Sequence, residues 1–354
     1  MDDWLRWLET LHPKKIDLGL ERIRQVLAAL ALQAPAYRIV TVGGTNGKGS
    51  CVALLEAIYR AAGLRVGAFT SPHLWRFNER IRLDGAEVAA LLHFARHGTD
   101  VALLEVGLGG RLDAVNAVDA DASLIVSIDL DHQTWLGTTR EAIGYEKAGI
   151  MRPARPAVIA DRNPPASVLA HARRVGAAVE RMGREFDYGP VDATWAFRGR
   201  QGPRRGLPRP AFGGEEQLAN AAGCLALIDA LSGLLPVAED ALVRGLRSAR
   251  LNGRSERREI GGVTWVFDVA HNPAAAAALA RTLAGDPVAG RTRCVVAIMG
   301  DKDHRGVLAP MLPVVDEWLL TRSAEARGAP PALLAEALGE QAPATVCFDI
   351  RAAC

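Results

Sequence analysis

Thr41-Val-Gly-Gly-Thr-Asn-Gly-Lys-Gly-Ser50 joins a strand-like stretch to a helix-like one, and its residue types suit phosphate. Glycines let the backbone turn tightly, and N–H groups at a helix start point at an anion that the helix dipole favours. Lys48 adds a point charge and Ser50 a hydroxyl near any metal. The strict pattern has four residues before its Gly-Lys; here three separate Gly43 from Gly47. The plain alternative is a tight turn between strand and helix.

Other candidates stand where apolar runs end. Glu105 closes Val101-Ala-Leu-Leu-Glu105, and Asp129, Asp131 and His132 close the next run. In open α/β sheets ligands bind beyond the carboxyl ends of strands, so Glu105 is a natural magnesium ligand or a salt-bridge partner. Imidazole is an unusual magnesium ligand, which leaves His132 open. Lys147 falls late in a helical pattern, where the dipole alone favours a cation. Asp268 and His271 close another strand-like run, and Arg254 offers a guanidinium to phosphate or to an ion pair between domains.

The elements that must position these groups read as alternating strands and helices. Strand patterns occur at 39–42, 66–69, 101–106, 123–128, 157–160, 263–269, 294–299 and 317–320. Helical patterns occur at 4–11, 20–32, 50–62, 140–150, 165–175, 217–231, 238–249 and 274–283. Apolar strands separated by helices predict an α/β fold with a largely parallel sheet. Residues 192–214, rich in Gly, Arg and Pro, read as a loop or short hairpin.

A chain of 354 residues exceeds the roughly 250–300 at which single cores stop growing, so two domains are expected. The boundary falls at Ala249–Gly253, giving units 1–250 and 251–354. Hydrophobic residues form 49% of the chain, which argues against disorder. A formal charge of +2 gives no argument for nucleic acid. Five scattered cysteines fit neither a disulfide framework nor a zinc site. The acidic start lacks a signal-peptide profile, and no run of about 18 apolar residues predicts a membrane span. The expectation is a cytoplasmic, monomeric protein.

Together the motifs resemble the folylpolyglutamate synthase family, the folate branch of the Mur-type ATP-dependent amide ligases. They are Trp7-Leu-Glu-Thr-Leu-His12, Ile16-Asp-Leu-Gly-Leu-Glu-Arg22, Gly44–Ser50, Ser71-Pro-His-Leu-Trp-Arg-Phe-Asn-Glu-Arg-Ile81, Leu104–Ala114, Asp131-His132, Glu146-Lys-Ala-Gly-Ile150 and Asp268-Val-Ala-His-Asn-Pro273. The resemblance implies a P-loop parallel-sheet ATPase domain followed by a smaller Rossmann-like α/β domain. It also implies glutamate addition to 7,8-dihydropteroate and to the γ-carboxylate of folates through an acyl phosphate. Partners would be ATP, L-glutamate, 7,8-dihydropteroate and folates.

Residue roles follow from the same resemblance. Thr45, Asn46, Gly47, Lys48, Gly49 and Ser50 would hold the ATP phosphates, with Asn220, Arg254 and Asp268 as further ATP contacts. Ser71, Glu105 and His132 match ligands of one Mg2+, and Lys147, if carbamylated, a ligand of a second. Lys48, His271 and Lys147 match catalytic groups. Asp17, Leu18, Gly19, Arg111, Leu112, Asp113 and Ala114 match pteroate-binding positions, and Leu136 is a further candidate. The monovalent-ion requirement stays open, with K+ the candidate. Rivals are a monofunctional ligase, a Mur-type ligase for another acid, and a non-catalytic nucleotide-binding module.

Two departures from the family pattern stand out. A helical segment and an aromatic motif of the pterin site are missing between Glu87 and Ala90, and relatives continue past Cys354. Eleven residues before the 101 strand leave little room for a parallel crossover, so a break in the chain is expected within 84–92.

Overall fold

The computed structural model describes residues 19–353 except 33, 75, 88–91 and 326. Its frame is an eight-stranded sheet. The strands are β1 (Arg38–Gly43), β2 (Val66–Phe69), β3 (Ile81–Leu83), β4 (Ala86–Glu87), β5 (Val101–Glu105), β6 (Ala122–Ile125), β7 (Pro156–Ile159) and β8 (Ala178–Arg181). Their order is β4-β3-β2-β5-β1-β6-β7-β8. From β2 to β8 every pairing is parallel, while β3 and β4 form an antiparallel edge.

The central strands are buried on both faces, which is why they read as continuous apolar runs. One face packs on helices Lys48–Ala61, Glu216–Leu231 and Glu239–Ser248 around Leu54, Leu55, Ile58, Leu225 and Leu246. Gly245 allows the closest approach: a Cβ there would lie 2.5 Å from the Ile58 Cα. The other face packs on helices Arg140–Ala148 and Ala166–Val175 through Ile143, Ile150 and Val168.

The region read as a loop or short hairpin does hold a hairpin, β10 (Thr194–Gly199) and β11 (Gly202–Pro208), and β9 (Asp187–Val191) extends it to an antiparallel meander. Its apolar signal is sparse: Trp195, Phe197 and Leu207 alternate inward while Arg198, Arg204 and Arg205 interrupt the pattern. A buried pair, Arg204 to Asp229 at 2.8 Å, ties the meander to helix Glu216–Leu231.

Beyond residue 250 comes a hairpin of β12 (Glu256–Ile260) and β13 (Val263–Phe267), so this part begins one strand earlier than expected. A parallel sheet of β14 (Arg293–Val296), β15 (Glu317–Leu320) and β16 (Ala344–Val346) follows. Helices Pro273–Ala284, His304–Leu308 and Pro331–Leu338 supply its core with Trp318, Leu320 and Leu334.

The crossover that precedes β5 starts at β2, its parallel neighbour, and passes through β3 and β4. It is therefore not limited to eleven residues, which removes the spatial reason for expecting a chain break. The expected break itself falls on 88–91, outside the described residues, as do Asp17, Leu18 and the 4–11 helix.

Gly44, at φ 145°, opens the loop after β1, and an added Cβ would lie 2.2 Å from Val126 Cγ2. Gly63, at φ 86°, has open space around it. Gly63→Ala is expected to cost about 1–2 kcal/mol from backbone strain. Gly44→Ala should lose roughly 1–3 kcal/mol more from the clash. Denaturant titration of both variants checks the difference; equal losses would contradict the packing described.

Candidate active site

The parallel order puts the carboxyl ends of β1, β5 and β6 side by side, and each carries a candidate group. Val42 pairs with Glu105 and Gly43 with Ile125, so the loops after these strands share one edge. Gly47, at φ 93°, is the N-cap of helix Lys48–Ala61. A side chain at 47 would strike Asn220 Oδ1 at 2.4 Å, so Asn220 packs directly against the loop. Asn220 is itself fixed by a 3.0 Å bond from its amide to Gln217 Oε1.

The loop is pinned to the end of β6. Thr45 N–H donates to Ser127 O at 2.7 Å. Thr45 Oγ1 donates to Asp129 O at 3.1 Å and accepts from Asp129 N–H at 2.9 Å. Ser127 Oγ donates to Asn46 O at 3.1 Å.

Two lysines converge here. Lys48 Nζ donates to Gly44 O and Thr45 O, each at 3.1 Å. Lys147, buried late in helix Arg140–Ala148, donates to the same Gly44 carbonyl at 2.7 Å. Burial lowers the Lys48 ammonium pKa, opposed by the charges of Glu105 and Asp131. Burial, then the charge of Lys48, brings Lys147 down to about 7. A neutral fraction at Lys147 is what carbamate formation needs.

Glu105 is 4% exposed. Burial raises its pKa, opposed by Lys48 and by the Ser71 N–H, which donates to it at 2.9 Å. The Ser50 hydroxyl is fully buried and has no partner within the described chain. An unpartnered hydroxyl beside two covered cations fits a metal–phosphate ligand. Among the described residues no three His, Cys, Asp or Glu side chains gather as a metal cage. A cation here would rely on few protein oxygens plus substrate phosphates, the habit of magnesium.

His132 adopts φ 51° at the start of helix Gln133–Leu136. Burial lowers its pKa; Lys302, Lys48 and Lys147 act in the same direction while Asp131 opposes. Arg254, at the hinge, donates to Gly253 O at 3.0 Å. Its pKa is lowered by burial, with Asp268 and Glu105 opposing, which puts it in electrostatic reach of both. Asp268 accepts from Ser255 N–H at 2.8 Å and from Ala270 N–H at 2.8 Å. His271 Nδ1 lies 2.8 Å from Val269 O, leaving Nε2 3.5 Å from Asp131.

The Arg111–Ala114 run turns beside this edge. Arg111 pairs with Glu146 at 2.9 Å and lies over the Tyr145 ring at 5.9 Å. Asp113 accepts from the N–H groups of Gly107, Leu108 and Val115, so its carboxylate shapes the loop. Leu112 is half-buried and Ala114 starts a short 3-10 turn. Leu136 is buried against Gly109. Gly19 lies in the short described stretch before helix Glu21–Ala29.

Lys302 escaped the sequence reading, and Asp131 and Asn272, though they stand in its motifs, received no role there. Asp131 is bonded by Lys302 at 2.7 Å and faces His271. Burial pushes its carboxyl up, but the bonds of His271 and Lys302 outweigh that and hold it well below the usual range. Asn272 exchanges amide bonds with Asn46 at 3.1 and 2.9 Å. Lys302 follows β14 in Gly300-Asp-Lys-Asp303; a charged turn past a strand's carboxyl end was the available signal.

Similarity to known proteins agrees with this geometry. Residues 42–189 match the Mur ligase middle domain, and residues 253–354 match the Mur ligase glutamate ligase domain. The dihydrofolate synthase/folylpolyglutamate synthase of Escherichia coli K12 is 42% identical over 369 residues, spanning 95% of this chain and 85% of that protein. The structure of E. coli FolC in complex with DHPP and ADP superposes with a TM-score of 0.93 at 40% identity, covering 99% of this chain and 90% of that one. A bifunctional folylpolyglutamate synthase/dihydrofolate synthase with Mn, AMPPNP and L-glutamate bound gives 0.88 at 39% identity, with coverage of 99% and 90%. The fold is that of a Mur-type ATP-dependent ligase. The chain belongs to the dihydrofolate synthase/folylpolyglutamate synthase family.

The lowered Lys147 pKa has a consequence for stability. Between about 7 and the ordinary 10.5 the unfolded chain binds a proton that the folded chain does not. Stability therefore rises with pH across that window, and below it the full penalty of a buried ammonium remains. In CO2-free buffer, Lys147→Met should flatten this rise and stabilise the protein below pH 7. Urea titrations on both sides of pH 7 check it; an unchanged pH slope would contradict a proton-poor Lys147.

Proposed function

We propose that this chain ligates L-glutamate to 7,8-dihydropteroate and to the γ-carboxylate of folates, driven by ATP. The observation that carries the reading is the covered Lys48 ammonium on the carbonyls of the Gly44–Thr45 turn, with the Lys147 amine on the same Gly44 oxygen. A buried cation demands a counter-anion, and the triphosphate of ATP supplies it.

ATP phosphates occupy the 45–50 loop, with Arg254 and Asp268 reaching from the far side. The base lies toward a cavity of about 500 Å3 lined by Ser127, Ala160, Tyr188, Ala219 and Arg281. Ser71, Glu105 and His132 would hold one Mg2+, and Lys147, once carbamylated, would help hold a second. Bound magnesium would offset charge on the transferring phosphoryl oxygens. Arg111 to Ala114, Leu136 and Gly19 border the acid substrate. The division into units 1–250 and 251–354 is supported by cores that share no residue.

An oxygen of the substrate carboxylate attacks the γ-phosphorus and ADP leaves. Lys48 neutralises charge that grows on the phosphoryl oxygens, and the loop N–H groups orient them. The glutamate amine then attacks the acyl carbon, phosphate leaves, and a proton from nitrogen passes to solvent or phosphate. Covering the site by the C-terminal unit limits hydrolysis of the acyl phosphate.

The test is ADP formation with each acid substrate. Wild-type protein should form ADP at a rate that requires ATP, the acid and L-glutamate together. Lys48→Ala should lower turnover on the order of 10² or more while leaving the melting temperature close to wild type. Near-normal turnover of folded Lys48→Ala would overturn the reading.

A further inference from the structure

Asp131 follows β6, yet three of its partners come from beyond residue 250. Lys302 Nζ lies 2.7 Å from Oδ1, His271 Nε2 lies 3.5 Å from Oδ2, and the Asn272 amide donates to Oδ2 at 3.4 Å. The Lys302 and Asp131 side chains are only 12% and 10% exposed. A surface ion pair contributes little, but a covered one leaves an uncompensated charge when either partner is removed.

A second tie runs parallel to the first. Asn46 in the phosphate loop and Asn272 exchange two amide bonds, and Asn272 Oδ1 also accepts the Ala275 N–H at 3.0 Å. Asn272 thereby caps helix Pro273–Ala284 while touching the loop. These contacts seat the strand-end turns that carry His271 and Lys302 against the loop ends of β1 and β6. Neither Lys302 nor Asp131 has a part in the phosphate chemistry above.

We propose that Asp131 is a positioning residue for the ligation: it holds Lys302 and His271 of the C-terminal unit at the edge of the phosphate site, where the amine nucleophile must arrive. The proposal rests on the ligase reading. The clasp aligns the second half-reaction, and loss of either charge loosens the seat without disturbing the phosphate loop. Removing both charges leaves no covered unpaired group, so the two losses are not additive.

A double-mutant cycle on the full chain tests this, using Asp131→Asn, Lys302→Gln and the pair. Each single variant should lower kcat/KM for L-glutamate by about tenfold or more, with ADP affinity by calorimetry near wild type. The double variant should be no worse than the poorer single, and Lys302→Arg should recover most activity. Small-angle scattering should give a larger radius of gyration for each single variant. Additive losses, wild-type glutamate dependence, or a loss confined to melting temperature would overturn the proposal. If Asp131→Asn does not fold, Lys302→Gln against Lys302→Arg decides by the same criteria. Wild-type protein without ligation would refute the ligase reading instead; the scattering then decides the clasp, and unchanged dimensions overturn it.

Discussion

Two lysine side chains donate to one carbonyl oxygen, and the rest of the site is arranged around that meeting point. Lys48 and Lys147 reach Gly44 O from different helices, Lys48–Ala61 and Arg140–Ala148, on opposite faces of the sheet. Neither lysine has a carboxylate within hydrogen-bond distance among the described residues; Glu105 and Asp131 act on them from farther away. A covered ammonium such as Lys48 is costly without an anion and favourable with one. Burial is the main cause that lowers the pKa of both lysines.

Topology makes the convergence unavoidable. β1 lies between β5 and β6, so the loops that follow these three strands open on one edge. Glu105, the phosphate loop and the 127–132 turn therefore meet without any long excursion of the chain. Helices on both faces bury the strands and fix the edge in place. The C-terminal unit then closes over it through Asn272, His271 and Lys302, which all follow strand ends of their own.

Much of this was legible in the sequence because buried parallel strands are uniformly apolar and their ends are abruptly polar. β1, β2, β5 and β15 stand out for that reason, and Glu105 and Asp268 stand out with them. The 187–208 meander was only partly legible, as a loop or short hairpin: three inward apolar residues are too few to set a period among arginines and prolines. Lys302 was hidden for a different reason, since a lysine in a charged turn looks like a solvated one until a partner 171 positions away is brought to it. Lys147 likewise reads as a helix-end cation, and only its burial separates the two meanings. The pterin side is the least legible part, with Asp17 and Leu18 outside the described residues.

The central claim is that this cationic edge transfers a phosphoryl group to a carboxylate before the amide bond forms. The direct test is turnover of 7,8-dihydropteroate labelled with 18O in its carboxylate, with ATP and L-glutamate, followed by mass analysis of the released phosphate. The account predicts that one labelled oxygen passes from each carboxylate to phosphate. Phosphate free of label, formed alongside the amide product, would contradict it.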